Sequence, residues 1–327
     1  MPVPKRVTAP PFNVLRCSHV VYTVTDLGRS RAYYEETIGL HVQDAGDKVA
    51  WLRGMEERGH HSLVLRQEGI ARAERLGFKL ASEDDLERAE HFFRARGLPC
   101  ARVEVPYQGP TLHVTDPMGD PLEFFASMEQ TERLLQQYGR YRGCHPQRLD
   151  HFNVFSRDVQ GSVDFYAAIG FRLTEYTETD DDAPRIAAAW MHRKGTVHDV
   201  AFTNGRGPRL HHVAYLVPSA MHIIQLLDLM ATTGWLSSIE RGPGRHGISN
   251  AFFVYVRDPD GHRTEIYAGD YLTVDPDLEP IRWSISDPRR QTLWGMPAPR
   301  SWFEEGTPFR GVVPEEPVAR FESVMAD

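Results

Sequence analysis

The feature that most constrains the fold is that the chain repeats itself. HVVYTVTDLGRSRAYYEETIGLHV (19–42) and HFNVFSRDVQGSVDFYAAIGFRL (151–173) share one plan: a His, a short alternating apolar strand, an Asp, then an amphipathic helix. Tyr33 and Tyr34 of the first copy correspond to Phe165 and Tyr166 of the second, and Gly39 and Gly170 stand where a helix C-terminus needs a left-handed residue. RLGFKLASEDDLERAEHFFRARGL (75–98) likewise matches RLHHVAYLVPSAMHIIQLLDLMATTG (209–234), each a strand, a capping turn and a helix ending at Gly97 or Gly234. LHVTDPMGDPLEFFA (112–126) matches VYVRDPDGHRTEIYA (254–268), two strands joined by Asp-Pro-x-Gly, where Pro fixes one φ and Gly supplies the positive one. The pattern predicts an α+β chain of four strand–helix–strands modules of roughly 50–60 residues, paired into two halves.

The expected boundaries are 1–140 for the first half, 147–271 for the second, and 272–327 for a C-terminal extension. A connecting segment lies at about 127–147, its first part reading as helical until Gly143 and Pro146 break it. Trp283, Trp294 and Trp302 predict that 280–305 is ordered, because three indoles are rarely left in water. The last stretch, VPEEPVARFESVMAD, reads as mobile.

Composition narrows the partners. With 41% hydrophobic and 25% charged residues the chain has the make-up of a globular protein. A net charge of -8 without a basic patch argues against nucleic acid. No apolar run approaches the roughly 18 residues of a membrane span, and MPVPKRVTAPPF lacks the apolar region of a secretory signal. Cys17, Cys100 and Cys144 are odd in number, far apart and without CxxC spacing, which fits a reducing cytoplasm and neither a disulfide scaffold nor a thiolate zinc site.

Three potential metal ligands fall at repeat-defined points of the second half. His151 and His212 open the first strands of the third and fourth modules, and Glu265 follows the Asp-Pro-x-Gly turn. A lone His at a strand start is ordinarily structural; three such residues at equivalent points form the two-imidazole, one-carboxylate triad of mononuclear non-haem iron. The first half offers a comparison within the chain. His19 matches His151 and Glu123 matches Glu265, while alignment of Arg75-Leu76 with Arg209-Leu210 puts Phe78 in the place of His212. One metal site per chain is expected, in the second half.

The stretch GRHGISNAFFVYVRDPDGHRTE (244–265), with RLDHFN (148–153), HHVAYLV (211–217) and SDPRRQTLWG (286–295), resembles the type I extradiol ring-cleavage dioxygenases of the vicinal oxygen chelate superfamily. The resemblance spans roughly residues 12–305. It implies the glyoxalase/bleomycin-resistance/extradiol dioxygenase fold, with four βαβββ modules paired into two half-open barrels, the second holding iron(II), for which manganese(II) shares the donor set. The implied reaction opens a catechol ring with dioxygen to a muconate semialdehyde in aromatic catabolism, and the implied assembly is a homotetramer. His198, in GTVHDVAF and on a predicted strand, resembles the acid–base histidine. His246 and Tyr255 resemble the pair that hydrogen-bonds substrate oxygens. Asn153 follows His151 by two residues, so both share one strand face. Trp190 resembles a pocket wall. A carboxylate on the substrate needs guanidinium partners, and the resemblance assigns this to Arg241 with Arg289 or Arg290, Trp302 closing the pocket. Gln291 stands where a third basic residue is expected. The substrate implied is 3,4-dihydroxyphenylacetate. Other catechols, a metal-assisted isomerase or lyase, and a small-molecule binding protein of the same superfamily are the competing possibilities; the last has no need of a complete triad, and the isomerase none of His246 and Tyr255.

Overall fold

The protein was analysed as a computed structural model, which describes residues 3–321. Strands β1 (Val14–Val24), β2 (His41–Ala45), β3 (Val49–Arg53), β4 (Leu63–Gln67), β5 (Arg72–Leu80), β6 (Cys100–Val103), β7 (Thr111–Thr115) and β8 (Pro121–Phe125) form one sheet, in the order β2-β3-β4-β1-β5-β8-β7-β6. A second sheet repeats that order with β9 (Arg148–Ser156), β10 (Arg172–Glu178), β11 (Ile186–His192), β12 (Val200–Asn204), β13 (Arg209–Leu216), β14 (Ile239–Arg245), β15 (Phe252–Arg257) and β16 (Arg263–Ala268). Each set of four strands with its helix is one βαβββ module. The helices are α1 (Leu27–Ala32), continued by a wider π turn over Tyr33–Ile38, α2 (Glu83–Ala95), α3 (Val159–Ala168) and α4 (Ala220–Thr232).

The helix signals predicted from sequence act locally. Asp26, Ser82 and Asp158 cap α1, α2 and α3 by accepting from the backbone N–H of Arg29, Asp85 and Gly161. Gly39, Gly97, Gly170 and Gly234 all adopt positive φ, as do Gly119 and Gly261 of the two Asp-Pro-x-Gly turns. At Gly39 a Cβ would lie 2.0 Å from the Arg142 carbonyl, so the connecting segment packs directly on this helix end.

Within each half, two modules meet through antiparallel central strands, β1 with β5 and β9 with β13. One apolar core runs through both halves: Phe78 of β5 touches Phe152 of β9 edge-on at 5.7 Å and Phe171 at 5.8 Å. The extension adds β17 (Ile281–Ser284) beside β10, β18 (Trp294–Gly295) beside β14 and β19 (Thr307–Pro308) beside β13, with a short helix α5 (Arg300–Glu304).

Three local expectations are corrected. Residues 127–137 form no helix; Glu129 and Thr131 instead exchange backbone hydrogen bonds with Tyr107, His60 and Arg58, which holds the segment extended across the first sheet, and only Tyr138–Arg140 make a helical turn. Trp302 is buried and Trp283 half-buried, but Trp294 remains 49% exposed. The C-terminal stretch is pinned as far as described, by backbone bonds of Glu315 with Gly207 and of Val318 with Arg157; its remainder, 322–327, lies outside the described residues.

Candidate metal centre and catechol site

Strand register brings the three expected ligands together. β13 lies antiparallel to β9 and parallel to β16, so Ala214 stands opposite both His151 and Glu265, with His212 two residues earlier on the same face. The ligand atoms of His151, His212 and Glu265 lie within 4.8 Å of one another, and no other such grouping of three occurs among the described residues. Both imidazole Nε2 atoms are 3.1 Å from Glu265 Oε2, and all three residues are buried.

The surrounding hydrogen bonds decide which nitrogens are free. His151 Nδ1 is 3.1 Å from Asp150 Oδ2, which as a carboxylate accepts the proton. His211 Nε2 is 2.8 Å from the Trp302 carbonyl, so His211 donates there and its Nδ1 accepts, at 2.6 Å, from His212 Nδ1. Both ligand rings therefore direct an Nε2 lone pair toward Glu265, the arrangement a divalent cation requires. Burial pushes Glu265 up, but the close approach of the His151, His212 and His246 rings outweighs it and holds the carboxyl well below its usual range. Burial lowers His212 to about 4, so it is a neutral ligand at pH 7. The donor set and its tautomers fit the iron or manganese class of site.

Around the triad lies a cavity of about 950 Å³ lined by Asn153, Trp190, His198, His246, Tyr255, Arg290 and Trp302 among others. His198 sits in the loop before β12 and not on a strand as expected: Asp199 N–H reaches the Met191 carbonyl, closing the turn one residue later. Its ring lies 3.8 Å from that of His151 and its Nδ1 is buried without a protein partner. Burial, then the neighbouring His151, keep its pKa well below the ordinary value, so the ring is a neutral base. His246 gives Nδ1–H to the Gln291 carbonyl, which leaves Nε2 to accept from the Tyr255 hydroxyl at 3.0 Å. Burial, then Glu265, raise Tyr255, so it keeps its proton. Asn153 Oδ1 accepts from Thr203 at 3.1 Å, which fixes the amide beside His151.

The three arginines separate. Arg289 points outward and pairs with Asp287 at 2.8 Å. Arg290 is buried on the cavity wall; its Nε donates to the Ile285 carbonyl, and among the described residues no carboxylate lies within ion-pair distance of it. Arg241 is buried but is not on the cavity wall. Its guanidinium lies over Trp302 at 4.6 Å and Tyr255 at 5.6 Å, donates to Gln291 and Thr292, and leaves Nε and Nη1 unpaired. Trp302 lies edge-on to His211 and Tyr255.

Asp150, His211 and Lys194 were not singled out from sequence. Asp150 and His211 adjoin ligands in RLDHFN and HHVAYLV, so adjacency was an available signal; Lys194 had none. Arg206, Arg209, Arg320 and Phe321, which also line the cavity, come from a loop, a strand and the C-terminal stretch that meet only in space.

The first half repeats this geometry with other residues. Gly77 stands opposite both His19 and Glu123 as Ala214 does opposite His151 and Glu265, so the register places Arg75, not Phe78, at the position of His212. The sequence alignment was three residues off, because pairing follows backbone hydrogen bonds and bulges whereas Arg-Leu matched by side-chain identity. The same counting puts His61 at the place of His198, Trp51 at that of Trp190 and His113 at that of Tyr255. Glu123 is engaged by His19 at 2.9 Å, and by His113 and Gln108 at 2.8 Å each.

The family model of the Glyoxalase/Bleomycin resistance protein/Dioxygenase superfamily matches residues 16–124 and 148–266, one segment per sheet. A variant of homoprotocatechuate 2,3-dioxygenase from Brevibacterium fuscum superposes with a TM-score of 0.92 at 40% identity, over 97% of this chain and 89% of its own. The metapyrocatechase of Geobacillus stearothermophilus is 30% identical over 325 residues, 93% of this chain and 97% of that protein. A manganese-dependent 2,3-dihydroxybiphenyl 1,2-dioxygenase of Geobacillus genomosp. 3 is 29% identical over 301 residues, 87% of this chain and 94% of its own.

Proposed function

The chain belongs to the Glyoxalase/Bleomycin resistance protein/Dioxygenase superfamily and is an extradiol ring-cleaving dioxygenase, and from that premise we propose that it cleaves 3,4-dihydroxyphenylacetate at an iron(II) held by His151, His212 and Glu265. The observation that carries the substrate is Arg290, a buried guanidinium on the cavity wall without a carboxylate partner among the described residues. A buried cation is costly unless an anion joins it, and a carboxylate on the catechol side chain supplies one. Arg241, with two unpaired nitrogens behind Tyr255 and Trp302, adds positive charge from the second layer.

When bound, the metal supplies a redox-active centre that overcomes the spin barrier between dioxygen and a closed-shell ring. The protein residues bind, orient and move protons. His198, held neutral, takes the proton of a catechol hydroxyl and returns it as the ring opens. Tyr255, donating to His246 Nε2, presents its oxygen to the substrate's diol edge. Asn153 and Trp190 shape the remaining wall. The carbon–carbon bond beside the diol breaks, both atoms of dioxygen enter the product, and no external reductant is consumed. Exposed apolar side chains on the extension, among them Leu272, Leu293, Trp294 and Met296, support a homo-oligomer; a tetramer is what the family resemblance implies.

The 2,3-dihydroxybiphenyl named for one relative favours a second reading, an apolar catechol. Comparison of kcat/KM for 3,4-dihydroxyphenylacetate, 4-methylcatechol and 2,3-dihydroxybiphenyl, in wild type and Arg290→Leu, separates the two. Loss of a charged contact of this kind is worth about 2–5 kcal/mol, so Arg290→Leu lowers kcat/KM for the acid by about 30-fold or more and leaves 4-methylcatechol nearly unchanged. Preference of the wild type for the biphenyl overturns the assignment. Metal analysis of protein purified without added metal decides between iron and manganese.

A further inference from the structure

We propose that Lys194 is a positioning residue for ring cleavage: its ammonium ties the backbone at Asp150 to the backbone at His198 and so sets the spacing between a metal ligand and the acid–base imidazole. Lys194 Nζ donates to the Asp150 carbonyl at 2.8 Å and to the His198 carbonyl. It also lies 3.6 Å from Asp150 Oδ2 and 3.5 Å from Asp199 Oδ1, both carboxylates fully buried. Asp150 Oδ2 is the acceptor that fixes the His151 ring, and Asp199 is the residue after His198.

The rest of the network joins the two segments at neighbouring residues and leaves the bond to His198 itself to Lys194. Asp199 Oδ2 accepts from the backbone of Arg193 and Lys194, and its Oδ1 from the backbone of Cys17 in the first half. Cys17 Sγ reaches the Asp150 carbonyl at 2.7 Å. Through Cys17 these bonds tie Asp199 to Asp150, and Phe152 N–H donates to the Asp199 carbonyl at 3.0 Å, so the turn and β9 are joined beside the two imidazoles; among the described residues the ammonium is the group that bonds both to the residue before His151 and to His198 itself. A lysine suits this because its three donors diverge from one point, whereas a planar guanidinium presents them in a fork that cannot converge on the same two carbonyls.

The inference rests on the ring-cleavage reading, and the test tells the two apart. Lys194→Met keeps the length of the stem and removes the charge. In the iron-loaded enzyme with a catechol the expected result is full metal occupancy, KM for the catechol changed less than about threefold, and kcat lowered about 30-fold or more, with hydrogen peroxide released per dioxygen consumed. Lys194→Met added to His198→Asn produces no further loss, because the residue acts through His198. In the zinc-loaded protein, with ¹⁵N-labelled histidine, the His198 ring signals shift in Lys194→Met while those of His61, its counterpart in the first half, stay in place. Should Lys194→Met fail to fold, Lys194→Arg retains the charge that Asp150 and Asp199 need and shows the same kcat-selective loss. Wild-type kcat in a folded, metal-loaded Lys194→Met or Lys194→Arg overturns the proposal, as does full additivity with His198→Asn. A wild-type enzyme that leaves every catechol intact overturns the ring-cleavage reading instead.

Discussion

Asp120→Asn should make the protein more stable at pH 8, and by a smaller margin at pH 5. Asp116 and Asp120 bracket the turn of the first half, both under 4% exposed. Asp116 Oδ1 accepts from the backbone of Met118 and Asp120, but Asp116 Oδ2 and both oxygens of Asp120 have no protein partner. The second half solves the same position differently: Asp258 is matched by His262, which stacks on Tyr22 at 4.1 Å, and Asp258 Oδ2 also accepts from the Tyr34 hydroxyl. Burial raises Asp116 to about 7 and, with repulsion from Asp116, raises Asp120 well above the usual carboxylate range. A raised folded pKa means that the native state keeps a proton the unfolded chain has released. The stability this contributes is complete below about pH 4 and lost as pH climbs to about 7. At 1.36 kcal/mol per unit the full excursion is about 4 kcal/mol. Replacing Asp120 by a neutral amide removes one of the two buried ionisable groups, which recovers about 1–3 kcal/mol at pH 8, or about 2–5 °C in Tm. Thermal unfolding of metal-loaded wild type and Asp120→Asn from pH 5 to 8 is the assay, read as the difference in Tm between the two. A difference that stays constant across that range, or an Asn variant less stable at pH 8, refutes the reasoning.

His151→Ala, His212→Ala or Glu265→Ala should each abolish retention of metal, while His19→Ala and Glu123→Ala leave the metal content unchanged; elemental analysis of the purified proteins checks this, and equal loss from both sets would sink the assignment of one site. His198→Asn should retain metal and bind catechol yet slow turnover by about 10²-fold or more, measured by product formation after rapid mixing with dioxygen. Wild-type turnover would make His198 structural. Gly77→Ala should destabilise the first half by about 1–3 kcal/mol, because the added methyl would sit 2.3 Å from His19 Cε1. Urea unfolding measures it, and a neutral change would mean that the His19 ring is free to move.

Much of this protein was legible before any coordinates, for one physical reason: the chain states its plan more than once. Repeated capping residues, glycines and Asp-Pro-x-Gly turns act over a few residues, so each βαβββ module and the positive-φ glycines that end its helices and turns (Gly39, Gly97, Gly119, Gly170, Gly234 and Gly261) could be located from neighbours alone. His151, His212 and Glu265 were legible because they recur at fixed points of that plan. Side-chain identity could not set register. It misplaced the counterpart of His212 by three residues, where bulged backbone pairing puts Arg75. Nor could local pattern keep 127–137 from reading as helical, since its extended form depends on hydrogen bonds to Arg58, His60 and Tyr107. Only the tertiary structure decided that Arg290 faces the cavity while Arg289 meets Asp287, that Arg241 lies behind an aromatic wall, and that Lys194 joins Asp150 to His198. For Arg290, Arg241 and Lys194 the deciding force is burial of charge. A buried charge is settled by whatever distant groups surround it in space, and the order of residues along the chain does not record them.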